Sequence, residues 1–234
     1  MNTVEKILVV IPAYNEEASL GSVVEEVKKY LPKADILVVN DGSSDSTSSE
    51  ARIKGALVLD LPYNLGIGGA VQTGCLYAYQ HGYEFVVRLD GDGQHHPQEI
   101  PKILKPLLEG EADIVIGSRY LSKEGYKSTF LRRVGIRFFS LAIWLITGGT
   151  IKDPTSGFNG MNRKGIELIA FKYSSDYPEV EALIVARKRG LRIREVPVIM
   201  KKREKGKSSI DCFEAIYYMI KVSISTLIGY LKKV

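Results

Sequence analysis

Short apolar runs, each stopped by polar or glycine-rich residues and followed by a helical stretch, recur through the first half of the chain. Lys6 to Ile11 reads as a first strand, closed by Pro12. Ile36 to Val39, Ala56 to Leu61, Phe85 to Leu89 and Ile114 to Gly117 read as further strands by length and β-branched content. Helical stretches separate them. One spans Ala18 to Tyr30, and one follows the N-cap-rich run Asn40 to Asp45 as far as Lys54. A third opens at Asn64 to Ala70 and reaches His81, and a fourth starts at Pro97 and ends near Gly110. This rhythm with short connections specifies an α/β fold, a doubly wound and mostly parallel sheet with helices on both faces. Such a sheet binds ligands beyond the carboxyl ends of its strands. Tyr14 to Glu16, Asn40 to Ser43, Asp90 to Gln94 and Ser118-Arg119 fall at those ends.

The second half is less regular. Leu131 to Ile146 reads as an apolar helix interrupted by Arg132, Arg133 and Arg137, and Lys152 to Phe158 as a loop with a proline turn. Tyr177 to Arg189 reads as a helix carrying Glu179 and Glu181, and Arg192 to Ile199 as a strand. A basic loop, Lys201 to Ser209, precedes a last helix from Asp211 to Leu231. With 234 residues and 45% hydrophobic content, one sizeable core is expected. Residues 1–210 would form one domain, and 211–234 an appended helix that meets a membrane, a second copy of the chain or a membrane protein.

Charge is segregated. From Arg187 to Lys207 ten basic residues face Glu195 and Glu204, a local net of +8 within an overall +5, leaving −3 elsewhere. That concentration suits phosphate groups or an anionic membrane surface. Nucleic acid is not expected as a partner, because no recognition module occurs and aromatics are not interleaved with the charges. Met1 to Lys6 is polar and Ile7 to Ile11 too short for a signal segment, so a cytoplasmic protein is expected. Cys75 and Cys212 match no metal or redox spacing and read as free thiols.

The run Leu89-Asp90-Gly91-Asp92-Gly93-Gln94 carries the chemistry. Like charges at i and i+2 of a continuing strand would repel. Glycines at 91 and 93 let the backbone turn so that both carboxylates converge. Two carboxylates at a strand end suit a hard divalent cation such as Mg²⁺, which fills its remaining positions with water and phosphate oxygens. The same residues would also suit a solvated Asp-Gly turn. Other sites fit less well. The glycines at 66 to 69 lack the third glycine of a dinucleotide fingerprint, where Val71 stands. No Gly-x-Ser-x-Gly elbow supports a hydrolase, and His95 and His96, beside Pro97, read as structural rather than as metal ligands.

Five motifs stand in order: Val10-Ile-Pro12-Ala-Tyr14-Asn-Glu16, Val39-Asn-Asp41-Gly-Ser43-Ser-Asp45, Asp90-Gly-Asp92-Gly-Gln94-His95, Gly117-Ser-Arg119-Tyr120 and Asp153-Pro-Thr-Ser-Gly157-Phe158. From about Ile7 to Ser209 the chain resembles family 2 glycosyltransferases, in the branch of the dolichol-phosphate mannose synthase-like and bacterial polyprenyl-phosphate enzymes. The resemblance implies a GT-A fold, a nucleotide-diphosphate sugar donor carrying GDP or UDP, Mg²⁺ or Mn²⁺, and inversion at the anomeric centre. It implies that Pro12, Ala13, Tyr14, Glu16 and Asp41 line the base and ribose pocket, and that Asp90, Asp92 and Gln94 sit at the metal and diphosphate. Arg119, Arg133 or Arg137 would face the sugar or the acceptor phosphate. Ile136-Arg137 and Asn159 stand where mannose synthases usually carry Ser-Arg and an arginine, so the sugar stays open.

A lipid-phosphate acceptor is already an anion and needs cationic positioning, which Arg119, Arg133, Arg137, Arg203 and Lys207 would supply. A saccharide hydroxyl needs a carboxylate base, for which Asp153, Glu179 and Glu181 are candidates. These carboxylates would otherwise be a turn residue and helix-surface or arginine-paired charges. A non-catalytic sugar-nucleotide binder and a nucleotidyltransferase are the remaining alternatives. The intact Asp90/Asp92 pair speaks against the first, and the lack of a glycine-rich lysine loop after the first strand against the second. From Ala215 to Leu231 the only charge is Lys221, and these residues reach roughly 25 Å as a helix, short of a comfortable crossing. A helix in the interface, at the inner face of the membrane, is therefore expected.

Overall fold

The computed structural model describes residues 6–121, 130–172 and 178–201. The elements run β1 (Ile7–Ala13), α1 (Leu20–Tyr30), β2 (Asp35–Asn40), α2 (Thr47–Ile53), β3 (Leu57–Asp60), α3 (Gly66–Gln80) and β4 (Phe85–Arg88). A 3-10 turn (Pro97–Glu99) leads into α4 (Ile100–Leu108), then β5 (Ile114–Ser118), α5 (Phe130–Thr147), β6 (Asn159–Asn162), α6 (Arg163–Lys172), α7 (Pro178–Lys188) and β7 (Ile193–Pro197). The expected basic loop beyond Lys201 and the helix over 211–231, with Arg203, Lys207 and Cys212, lie outside the described residues.

One sheet holds all seven strands in the order β3-β2-β1-β4-β6-β5-β7. β1 pairs in parallel with β2 and β4, β2 with β3, and β5 with β7, while β6 runs antiparallel between β4 and β5. The expected mostly parallel sheet is therefore present, with one reversed strand near its middle. Strand alternation divides the core. Val9, Ile11, Val38, Val87 and Val115 meet Leu20 and Val24 of α1 and Ile103 and Leu107 of α4. Leu8, Val10, Leu37 and Val86 meet α3, α6 and α7 on the other face. Each fully buried valine or leucine contributes about 1.5–3 kcal/mol, so these two layers carry the fold.

Two expectations need correction. β1 does not close at Pro12 but continues through it to Ala13, with Pro12 opposite Val39. The ladder with β4 has already ended at Val10 opposite Arg88, so the missing N–H of Pro12 costs no sheet bond. β6 and α6 were not anticipated, because Asn159-Gly-Met-Asn162 carries no apolar alternation. Its place is set by packing: a Cβ at Gly160 would lie 2.6 Å from Ile103 Cγ2, so α4 sits directly on the strand. Cys75 is a buried free thiol, pushed up to about 12 by burial. Among the described residues, no helix is long and apolar enough to cross a membrane.

Asp113 fastens the far side of the sheet. Its carboxylate accepts from the Arg192 backbone N–H (2.8 Å), Arg192 Nε (3.1 Å) and Asn162 Nδ2 (2.9 Å), joining β5, β6 and β7. The hydrogen bonds from Arg192 hold this carboxyl well below the usual range against the effect of burial. Asp113→Ala should lower the unfolding free energy at neutral pH by about 2 kcal/mol. Because the folded-state pKa is depressed, that difference is full above the unfolded-chain value of about 4 and declines as the pH falls below it. Urea unfolding of both proteins across that range checks this; a gap that ignores acid refutes it.

Candidate active site

The loops at the carboxyl ends of β1, β2, β4 and β5 are fastened to one another mainly by side chains. Asn15, after β1, holds a left-handed backbone (φ 54°), tolerated by asparagine better than by most residues. Its N–H donates to Ser43 Oγ (2.9 Å), and its Oδ1 accepts from Ser44 N–H (2.9 Å). Glu16 N–H donates to Thr47 Oγ1 (2.8 Å), and Glu17 Oε2 accepts from Ser46 N–H (2.9 Å). Pro12 and Ala13 are buried, while Tyr14 is exposed. Asp41 is buried. Its N–H donates to Ala13 O (2.8 Å), and its Oδ1 accepts from Leu65 N–H (2.7 Å) at the start of α3. Of the five residues expected at the base and ribose, Pro12 and Ala13 end β1, Tyr14 and Glu16 lie in the loop after it, and Asp41 opens the loop after β2 and bonds back to Ala13.

The acidic turn joins this unit through Ser19, whose Oγ donates to Gly91 O at 2.9 Å. Asp92 Oδ1 accepts from Gln94 N–H (3.0 Å), so this carboxylate caps its own turn. Asp90 points differently. It lies 3.4 Å from Arg88 Nη2 and 3.8 Å from His95 Nε2. Burial works to raise the Asp90 carboxyl, and the His95 ring and Arg88 guanidinium more than offset it, so it stays below the usual range. His95 is buried, and burial lowers its own pKa. Its Nδ1 accepts from Asp90 N–H at 3.0 Å, which leaves the proton of the neutral ring on Nε2. The ring stacks on Phe158 at 5.0 Å. These contacts tie His95 to the acidic turn and to the loop that carries Phe158.

A third unit completes the site. Arg119, at the end of β5, is buried and donates from Nε (2.8 Å) and Nη2 (2.6 Å) to the fully buried Asp153, and from Nη2 to Thr155 Oγ1 (3.2 Å). The Asp153 bonds keep the guanidinium charged although burial opposes it. Asp153 was a candidate general base. Here both of its oxygens accept from one guanidinium, which removes it from that role in this geometry. Glu179 was another, and its Oε1 accepts from Arg88 Nη1 at 2.9 Å, the arginine-paired alternative. Glu181 lies two residues on, about 200° round the helix from Glu179. Arg133 and Arg137 are exposed on α5, and among the described residues no hydrogen bond or ion pair joins them to this cluster.

Sequence reasoning passed over three participants. Arg88 was hidden in an apolar strand, although a cation there requires a buried partner. Glu195 was counted only as a minority charge in a basic segment. Its carboxylate accepts from the backbone N–H groups of Lys152 (2.8 Å) and Asp153 (2.9 Å), fixing the loop that grips Arg119. Lys201 N–H donates to Gln94 O (2.8 Å), so the chain enters its basic segment directly beside the acidic turn.

Asp90 and Asp92 offer oxygen ligands of the hard type that Mg²⁺ and Mn²⁺ prefer. Among the described residues no group of three or more His, Cys, Asp and Glu side chains forms a complete cage. This donor set fits a cation that takes the rest of its coordination from substrate phosphate and water.

Residues 8–169 match the model of the family described as glycosyl transferase family 2. The chain belongs to that family. This glycosyltransferase is 30% identical over 212 residues to the UDP-N-acetylglucosamine–dolichyl-phosphate N-acetylglucosaminyltransferase of Methanococcus voltae, covering 82% of this chain and 84% of that one. It is 30% identical over 215 residues to the undecaprenyl-phosphate mannosyltransferase of Micrococcus luteus, covering 88% of each. In fold it is similar to glucosyl-3-phosphoglycerate synthase from Mycobacterium tuberculosis, solved with Mn²⁺ and UDP-glucose, with TM-score 0.75, 24% identity, and coverage of 97% of this chain and 79% of that one. The expected GT-A arrangement is borne out.

The Arg119–Asp153 pair makes a stability prediction for this glycosyltransferase. Arg119→Ala leaves Asp153 buried without its counter-charge and should cost about 3–5 kcal/mol. Arg119→Ala combined with Asp153→Ala should cost less than Arg119→Ala alone. Guanidinium unfolding of the three proteins measures this, and strict additivity would refute the pairing.

Proposed function

We propose that this glycosyltransferase inverts the anomeric centre while moving a hexosyl group from a GDP- or UDP-linked sugar to a polyprenyl phosphate. The observation that carries the reading is the state of the carboxylates. Asp153 and Glu179 are each held by a guanidinium and Glu181 lies about 200° round the helix from Glu179, whereas a hydroxyl acceptor would need one of these three as base. A lipid phosphate needs no base. Two relatives with 30% identity are named for transfer to dolichyl phosphate and to undecaprenyl phosphate, which supports the same acceptor class.

In this reading the clamped loops at Pro12, Ala13, Tyr14, Glu16 and Asp41 receive the nucleoside. Asp90, Asp92 and Gln94 receive the diphosphate with Mg²⁺ or Mn²⁺, which as a Lewis acid supplies charge neutralisation to the leaving group. Asp153 and Thr155 orient Arg119, which addresses the sugar or the incoming phosphate. Arg133, Arg137, Arg203 and Lys207 add positive charge along the acceptor path. The phosphate oxygen attacks the anomeric carbon from the face opposite the leaving diphosphate, so nucleophile and leaving group are both anions. Their mutual repulsion is what the arginines and lysines offset.

A thermal-shift screen with GDP- and UDP-sugars, each with Mg²⁺ or Mn²⁺, should find at least one stabilising donor. Transfer from that donor should then favour polyprenyl phosphate over saccharides. No stabilising donor, or preferred transfer to a saccharide hydroxyl, overturns the reading. Asp92→Asn should leave the fold intact and lower turnover at least about 100-fold, roughly 3 kcal/mol of transition-state stabilisation, and excess EDTA should abolish transfer. Arg203→Ala and Lys207→Ala should raise the KM for acceptor phosphate while leaving donor binding unchanged; equal donor and acceptor kinetics in both variants would refute their role.

A further inference from the structure

Two buried guanidiniums stand beside the acidic turn, and each has a carboxylate of its own. Arg119 is taken by both oxygens of Asp153. Arg88 is taken by Glu179, whose Oε1 lies 2.9 Å from Nη1, while Asp90 Oδ1 lies 3.4 Å from Nη2. The first is the length of a good charge-assisted hydrogen bond, and the second is at the long limit of one. Exposure follows the same order. The side chain of Arg88 is 3% exposed and that of Glu179 16%, whereas that of Asp90 is 34% exposed. Packing holds Glu179 in its place. It stands in the first turn of α7, where a negative charge suits the helix dipole. Val180, Leu183 and Ile184 anchor that helix against Phe139 and Ile143 of α5. Together with Ala182 and Leu183, one turn on, Glu179 lines a cavity of about 30 Å³ that Val71, Ile116 and Ile169 also wall. A charge pair against apolar walls is weakly screened, so the loss of one member is felt strongly by its neighbours.

We infer that Glu179 is a positioning residue of the reaction: by absorbing the charge of Arg88 it leaves Asp90 to the divalent cation that accompanies the donor diphosphate. Without that carboxylate the guanidinium leans on Asp90, and the cation has to compete with a fixed positive charge for the same oxygens. A cation held by few protein ligands feels such competition most, and its partners beyond the ligands themselves tune how tightly it is held. Asp153 spares Asp90 in the same way from Arg119, which also faces it. The task given to Glu179 involves no proton transfer, so it agrees with an acceptor that needs no base. The inference rests on the metal reading of the acidic turn given above.

The test titrates UDP and GDP calorimetrically into the full-length protein, once in Mn²⁺ and once in EDTA, with circular dichroism as the check on folding. The ratio of the two dissociation constants is the gain that the metal confers, and the wild-type protein should show one with at least one nucleotide. Glu179→Gln, which keeps the shape and loses the charge, should lower that gain about tenfold and leave the affinity in EDTA unchanged. A purely structural role would weaken binding in both conditions alike. Arg88→Leu combined with Glu179→Leu removes both charges, an exchange that buried pairs tolerate, and should return the gain to within about threefold of wild type. An undiminished gain in Glu179→Gln overturns the inference, and so does equal weakening in Mn²⁺ and EDTA. Should Glu179→Gln fail to fold, the double variant decides alone: a retained gain supports the inference and a lost one overturns it. No gain in the wild-type protein overturns the metal reading and this inference with it. A wild-type gain that ignores Glu179 overturns the inference and leaves the metal reading standing.

Discussion

A guanidinium sealed inside the sheet holds the site in shape. Strand alternation in β4 sends Val87 toward α1 and α4, and Val86 and Arg88 toward α3, α6 and α7. Arg88 is 2% exposed there. A buried cation is costly unless carboxylates neutralise it, and Asp90 and Glu179 do so from two different elements. The first aspartate of the acidic turn is therefore bound inward as well as presented outward. Gly157 presses from the other side, where a Cβ would lie 2.8 Å from Asp90 Oδ2. Asp90 is boxed by a strand cation, a ring and a loop backbone, which leaves its orientation little freedom before any substrate arrives.

The same economy governs the other loops. Segments 14–19 and 41–47 satisfy each other's backbone N–H groups with Ser, Thr, Asn and Glu side chains. Segment 152–158 is held by Glu195 on one side and by Ser156 Oγ donating to Gly117 O on the other. Loops built this way need no regular structure of their own, yet their buried polar groups are paired. The acidic turn and the loop that carries Asp153 meet where Gly157 packs against Asp90.

What the sequence made legible follows from what leaves a local trace. The strands β1 to β5 announce themselves by β-branched runs, and the polar residues that end β1, β2, β4 and β5 do lie at one edge of the sheet. β6 leaves no such trace, because Gly160 is chosen by the approach of α4 and Asn162 by its bond to Asp113. The Arg119–Asp153 pair joins residues 34 positions apart, and neither neighbourhood hints at the other. Reading Asp153 as a candidate base was reasonable from its loop and is corrected by a partner that local pattern cannot reveal. Arg88 could have been suspected, since a lone arginine in an apolar strand two residues before an aspartate demands neutralisation. The motifs carried the family, and the pairing of charges inside the site came from tertiary structure.

The reversed strand also sets an order of assembly. β5 is made early, but both of its neighbours in the sheet, β6 and β7, are made later. As the chain emerges, β1 to β4 can pair at once through short parallel crossovers, with α1 to α4 covering them. β5 must wait, unpaired, until residues 159–162 arrive to bridge it to β4. Long-range pairing of this kind is slow and leaves strand edges open meanwhile. The segment that bridges the two halves directly follows the loop that grips Arg119. Completion of the sheet and closure of that grip therefore draw on the same late-made part of the chain.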